Sequence, residues 1–99
     1  MQTVNLIAVN EFCVNHHIEV SFINSLQQTG LIEITTMDET EFIDAEQLHQ
    51  LEKFTRFYYD LDINLEGIET ITHLLQKINA MQHEIITLRN RLRLYEANE

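Results

Sequence analysis

The residues able to do chemistry in this chain are few, and they are poorly assembled for it. Cys13 is followed closely by His16-His17, a thiol and two imidazoles on one short segment. Thiolate and imidazole are the usual zinc ligands, but a site needs three or four of them converging. Cys13 is the single cysteine of the 99 residues, and His49, His73 and His83 fall in other segments. No metal site is expected, and Cys13 reads as a small buried residue. Asp60 and Asp62 come nearest to a carboxylate pair, but their spacing suits helix termination and capping. No nucleophile–base pair stands out, and no glycine-rich loop that would cradle phosphate. The chain therefore reads as non-enzymatic and without a cofactor.

What the chain has in quantity is acid: sixteen Asp and Glu against six Lys and Arg, a formal net charge of −10. The distribution is uneven. Residues 1–52 contain no lysine or arginine, and they hold Glu11, Glu19, Glu33, Asp38, Glu39, Glu41, Asp44, Glu46 and Glu52. All the basic residues, Lys53, Arg56, Lys77, Arg89, Arg91 and Arg93, lie in the second half. Such an asymmetry speaks about partners rather than fold. It selects Glu33, Asp38, Glu39 and Glu41, and then Glu19, as the best candidates for a surface that docks a basic partner. The tract Phe57-Tyr58-Tyr59-Asp60 is expected chiefly to pack under the long helix, but three consecutive helical residues cannot all face one core, which leaves one or two rings as candidate interface anchors. Aromatic side chains also serve as interface anchors.

The elements that must position these residues can be read in order. Asn10 is placed to cap a helix over residues 11–16, with Phe12 and Cys13 facing inward. His17-Ile18-Glu19 makes the turn. A second helix covers Val20–Gln28, with Phe22, Ile23 and Leu26 as one apolar stripe. Gly30 ends it by taking the left-handed conformation open to glycine. Residues 31–43 then change to period two, Ile32 and Ile34 alternating with Glu33 and Thr35, which predicts a hairpin with a loose polar tip at MDET. Asp44 and Gln47 have the spacing of a capping box. The third helix follows to about Asp60, with Leu48, Leu51, Phe54, Tyr58 and Leu61 inward.

Beyond Asn64 the period changes again. Ile71, Leu74, Ile78, Met81, Ile85, Leu88, Leu92 and Tyr95 are spaced alternately three and four apart, a sustained heptad seam. A helix over residues 65–96 is roughly 48 Å long at about 1.5 Å per residue. A head of about 60 residues is only ~20–25 Å across. The seam therefore needs a second helix, most simply from another copy. In a parallel pair Glu84 meets Arg89 and Arg91 meets Glu96 across the seam. Gly67 is expected to let the third helix approach closely. The chain divides, on this reading, into a head of residues 1–62 and a dimerisation helix of residues 63–99. No run approaches the about 18 apolar residues of a membrane span. The N-terminus lacks the basic and long apolar regions of a secretory signal. With one cysteine, the expected compartment is the cytoplasm.

The order helix, turn, helix, Gly-Leu-Ile, hairpin, helix, long helix resembles the MerR family of winged helix-turn-helix regulators. "LQQTGLI" followed by "INLEGIETI" carries that likeness. Within the family the chain resembles the chaperone-modulator branch, the CbpM family. "VNEFCVNHHIEVSFI", "TEFIDAEQLHQLEKFTRFYYDLDINLEGI" and "HLLQKINAMQHEIITLRNRLRLYE" all look like that branch. The fold so implied is mainly α: a winged helix-turn-helix head with a small β-hairpin wing and a long coiled-coil helix. The implied activity is binding of the J-domain of a DnaJ/CbpA-type co-chaperone, restraining its work with the heat-shock chaperone DnaK. The alternative is a MerR-like, DNA-binding transcriptional regulator.

The departures from DNA-reading members bear on that choice. Where those members carry an arginine and tyrosines in the second helix, this chain has Asn24, Ser25 and Leu26. Where they carry a wing arginine, it has Thr40 beside Glu41, and where their turn has a glycine, it has His17. Contact with phosphates supplies essentially all non-specific DNA affinity. A strongly acidic head offers none, so no nucleic-acid binding is expected.

Overall fold

A three-residue strand leads directly into the first helix, with no loop between them. In a computed structural model of the chain, which describes residues 5–97, β1 spans Leu6–Ala8 and α1 spans Val9–His16. There follow α2 (Val20–Gln28), β2 (Thr35–Met37), β3 (Thr40–Asp44), a 3₁₀ turn (Ala45–Gln47), α3 (Leu48–Thr55), a π-helical turn (Arg56–Asp60) and α4 (Leu65–Ala97). The fold is mainly helical with a small sheet. Two units divide it, Met1–Glu69 and Thr70–Glu99, so the break falls inside α4.

The first unit is the winged head. Its sheet has the order β1-β3-β2, antiparallel throughout. β2 and β3 form the expected hairpin, while β1 is an additional strand that reading by periodicity missed. It pairs Leu6 with Asp44 and Ala8 with Phe42. Because β1 runs straight into α1, that helix starts at Val9 with Ala8 as its cap residue. Asn10 is therefore inside the helix, not at its cap as expected. Valine, phenylalanine and cysteine at positions 9, 12 and 13 form the buried stripe of α1.

Both helix ends in the helix-turn-helix close with the same device. At the end of α2, Gly30 has φ 80°, its N–H reaches the Gln27 carbonyl at 3.0 Å, and Leu31 N–H reaches the Leu26 carbonyl at 3.0 Å. That pair of bonds is a Schellman cap around a left-handed residue. At the end of α1, His17 takes the left-handed position with φ 55°. Its N–H meets the Val14 carbonyl at 3.4 Å, and Ile18 N–H meets the Cys13 carbonyl at 3.0 Å. A residue with a Cβ in that conformation costs about 1–2 kcal/mol. So His17 occupies a position where glycine would be relaxed.

The core gathers side chains from all four helices, the turn between α1 and α2, and the wing. Val9, Phe12 and Cys13 come from α1, Ile18 from the turn, and Phe22, Ile23 and Leu26 from α2. Ile32 and Ile43 come from the wing, Leu51 and Phe54 from α3, and Ile68 from the first turns of α4. Each fully buried large side chain contributes roughly 1.5–3 kcal/mol of transfer free energy, opposed by chain entropy. After Phe54 the expected stripe breaks. The π turn adds a residue to the helical repeat, with Leu61 N–H bonding the Arg56 carbonyl at 3.1 Å. Phe57 packs on the core instead, and Leu61 is left 61 % exposed.

Two other local expectations are corrected. Asp44 does accept a hydrogen bond from Glu46 N–H, but Gln47 does not complete a capping box. Its side-chain amide clamps the wing, as described below. Gly67 makes room not for α3 but for the chain just before α4. A Cβ there would lie 2.7 Å from Ile63 Cγ2 and 3.0 Å from Asn64 Oδ1, and Asn64 Oδ1 is the cap that accepts Gly67 N–H at 2.8 Å.

The second unit is the remainder of α4. Its seam residues Leu74, Ile78, Met81, Ile85, Leu88, Leu92 and Tyr95 are all exposed, from 47 % at Ile78 to 71 % at Tyr95, while Ile71 is half-buried. Together they form an apolar row along a 33-residue helix.

Candidate functional site

The wing is held by two devices that present its acids. The first is Gln47. Its Oε1 accepts from Glu33 N–H at 2.7 Å and its Nε2 donates to the Glu33 carbonyl at 2.9 Å. The amide thus imitates a neighbouring β-strand and satisfies both backbone groups of Glu33, whose side chain is exposed. The second is the hairpin tip. Met37 pairs with Thr40, so the loop is only Asp38-Glu39, and φ is 49° and 64° at these residues. Two positive φ values define a type I′ turn, where Asn-Gly is the favoured pair. The tip is therefore tight, not loose, and it holds two exposed carboxylates on a strained backbone.

Glu41 is placed differently from its neighbours. It faces Thr36 across the ladder and shares a face with buried Ile43, two residues along the strand. It is half-buried and, with Glu39, Thr40, Val9 and Asn10, lines a cleft of about 110 Å³ against the first turn of α1. The positive end of that helix favours a nearby carboxylate. Glu33, Asp38 and Glu39 are thus open to a partner, and Glu41 is partly enclosed by its own head.

Glu19 lies at the start of α2, not on the wing. Its N–H donates to the Tyr59 hydroxyl oxygen at 3.1 Å, and its carboxylate accepts from Ser21 Oγ at 3.2 Å. It is thereby joined to the aromatic tract, which sequence reading had treated separately. Tyr58 stacks on Phe22 of α2, with ring centroids 4.5 Å apart. No short-range sequence rule pairs residues 22 and 58.

The face of α2 that would enter a DNA groove carries no cation. Leu26 is fully buried and belongs to the core. Asn24 and Ser25 are half-buried, and Ser25 Oγ is engaged by the Ser21 carbonyl at 2.9 Å. Ser21, Gln27 and Gln28 are exposed and uncharged.

The groups weighed for metal chemistry are occupied otherwise. Cys13 is buried, and burial pushes its thiol up from the ordinary 9.0. His16 stacks on Phe12 at 4.0 Å, and its Nδ1–H donates to the Phe12 carbonyl at 3.1 Å. Among the described residues no group of three His, Cys, Asp or Glu side chains could hold a metal ion. Nor, among them, is any helix long and apolar enough to cross a membrane.

A helix-turn-helix followed by a hairpin wing, which a strand from before the first helix completes as a three-stranded sheet, then a third helix and a long fourth helix, defines a winged regulator of the MerR type. The family described as MerR HTH family regulatory protein matches residues 7–90, and the chain belongs to it. No curated protein and no solved structure matches the chain.

Proposed function

We propose that the chain is a chaperone modulator: it binds the J-domain of a DnaJ/CbpA-type co-chaperone and inhibits that protein's action with DnaK in the cytoplasm. The observation that carries this reading is the replacement of charge on a DNA reader's skeleton. The reading helix presents Ser21, Gln27 and Gln28, and the wing presents Glu33, Asp38 and Glu39. A duplex would repel such a surface, whereas a basic protein helix would be drawn to it. J-domains carry a basic helix that meets DnaK, so an acidic wing competes for it directly. The CbpM-like sequence pattern supports the same assignment.

The proposal includes a homodimer through Ile71, Leu74, Ile78, Met81, Ile85, Leu88, Leu92 and Tyr95. The exposed seam motivates it, and a second copy supplies the complementary apolar row and, where the two helices run parallel, the Glu84–Arg89 and Arg91–Glu96 pairs. The second reading, a DNA-binding transcriptional regulator, is favoured by family membership alone.

The test is functional. Stimulation of the DnaK ATPase by the cell's own DnaJ-type co-chaperone should fall as the chain is added, in proportion to J-domain occupied. Undiminished stimulation at saturating concentrations, with sub-micromolar and salt-sensitive duplex binding in a gel shift, would select the regulator instead.

A further inference from the structure

The end of α3 holds an aromatic group that the acidic-wing reading does not use. Phe22 and Tyr58 lie nearly parallel, 29° between planes. Tyr59 stands close to perpendicular to both, 78° to Phe22 at 5.4 Å and 75° to Tyr58 at 5.1 Å. The Glu19 N–H bond at 3.1 Å fixes the Tyr59 hydroxyl. The rings are thus preorganised, yet each tyrosine remains 38 % exposed. Beside them lies a groove of about 390 Å³ lined by Tyr58, Tyr59, Asp62, Ile63 and Asn64.

We infer that this groove receives an arginine side chain of a basic protein partner. Its chemistry is that of a cation site. Ring faces carry negative potential, and crossed aromatic rings with a nearby carboxylate attract a cation. Asp62 supplies the carboxylate: it is exposed and held at φ 55°, while Asn64 Oδ1 is already taken by Gly67 N–H. Arg56, close along the chain, is not among the lining residues, so the groove's negative character is uncompensated by its own lining. A planar guanidinium can stack on a tyrosine ring while its N–H fork meets Asp62, which the compact ammonium of lysine cannot do as well. Charge complementarity names the occupant's source. The chain carries −10, so its own field draws a basic partner rather than an acidic one. This inference rests on the reading that the partner is a basic protein, but not on that protein being a J-domain.

The test uses the full chain and two kinds of probe. One is the J-domain. The others are two helical peptides of identical sequence, one bearing arginines and its counterpart lysines in their place. Aromatic carbon–proton NMR reads the rings, with Tyr58→Leu and Tyr59→Leu assigning the signals. The arginine peptide should shift both tyrosine signals more than the lysine peptide does. Asp62→Asn should weaken it about five- to tenfold. Asparagine tolerates the left-handed position at least as well as aspartate, so that variant keeps the fold. If neither peptide moves the rings, and Asp62→Asn leaves J-domain affinity unchanged, the groove is not a cation site, though the co-chaperone reading stands. If the arginine peptide shifts the rings and Asp62→Asn suppresses it while the J-domain fails to bind, the groove stands and that reading falls. Ring shifts that appear on concentrating the chain alone would make a second copy the occupant and overturn the inference.

Discussion

Replacing Glu39 by glycine should stabilise the head and weaken its binding at once. Glu39 sits at φ 64°, the second residue of the type I′ tip, with Asp38 at φ 49° before it. A left-handed residue with a Cβ costs about 1–2 kcal/mol. Glycine removes that cost but gives back roughly 0.5–1 kcal/mol through the freer unfolded chain. The net gain is about 0–1.5 kcal/mol, which for a domain of this size raises Tm by up to ~12 °C. Removing a carboxylate from a chain of net charge −10 also relieves repulsion, so Glu39→Gln is the necessary comparison. The two variants lose the same charge, and only glycine relaxes the turn. Urea and thermal denaturation should be run at one protomer concentration, since assembly would shift both. Association with the J-domain should slow equally in the two variants, because both lose the carboxylate. A glycine variant no more stable than the glutamine variant would refute the claim that the tip is strained.

Three further outcomes are expected. Gly67→Ala should lose about 1–2 kcal/mol in urea denaturation, although alanine is the better helix former, because its Cβ meets Ile63 Cγ2 at 2.7 Å and disturbs the Asn64 cap. Burial raises the Cys13 thiol above 9.0, so the folded state holds that proton more tightly. The resulting stability is intact below pH 9.0 and is lost as pH rises through the folded value, a decline that Cys13→Ala should remove when denaturation is compared between pH 8 and 10. Ile78→Asp with Ile85→Asp should sediment as monomer or unfolded chain, since each places an unpaired charge in the seam; wild type that sediments as monomer at high micromolar concentration would refute the seam itself.

What could be read in the sequence was what depends on near neighbours. The ends of α2 at Val20 and Gln28 follow from its apolar stripe and from Gly30, both local signals. A hairpin was legible from period two, but its first strand is Thr35–Met37, beyond the Ile32 and Ile34 that announced it, and the heptads stand out because nothing interrupts them. What escaped depends on distant pairing. β1 has three residues and exists only because β3 pairs with it. Gln47 serves Glu33 across 14 residues rather than its own helix, a choice that the capping-box spacing conceals. The π turn has no composition that announces it, and it moves Phe57 inward in place of Leu61. At the site, the acids were legible as composition. That Glu41 is half-enclosed and Glu19 is joined to Tyr59 required the folded chain.

The central claim is that an acidic wing captures a basic protein surface. It is tested most directly by surface-plasmon binding to the J-domain at low and physiological salt, for wild type and for Glu33→Lys with Glu39→Lys, two exposed wing acids. Exposed charges steer encounter and are screened beyond about 8 Å at physiological salt. Association is expected to slow as salt rises, and further in the double reversal, with the fold and the residues 71–95 seam unchanged. An affinity insensitive to both salt and charge reversal would contradict it.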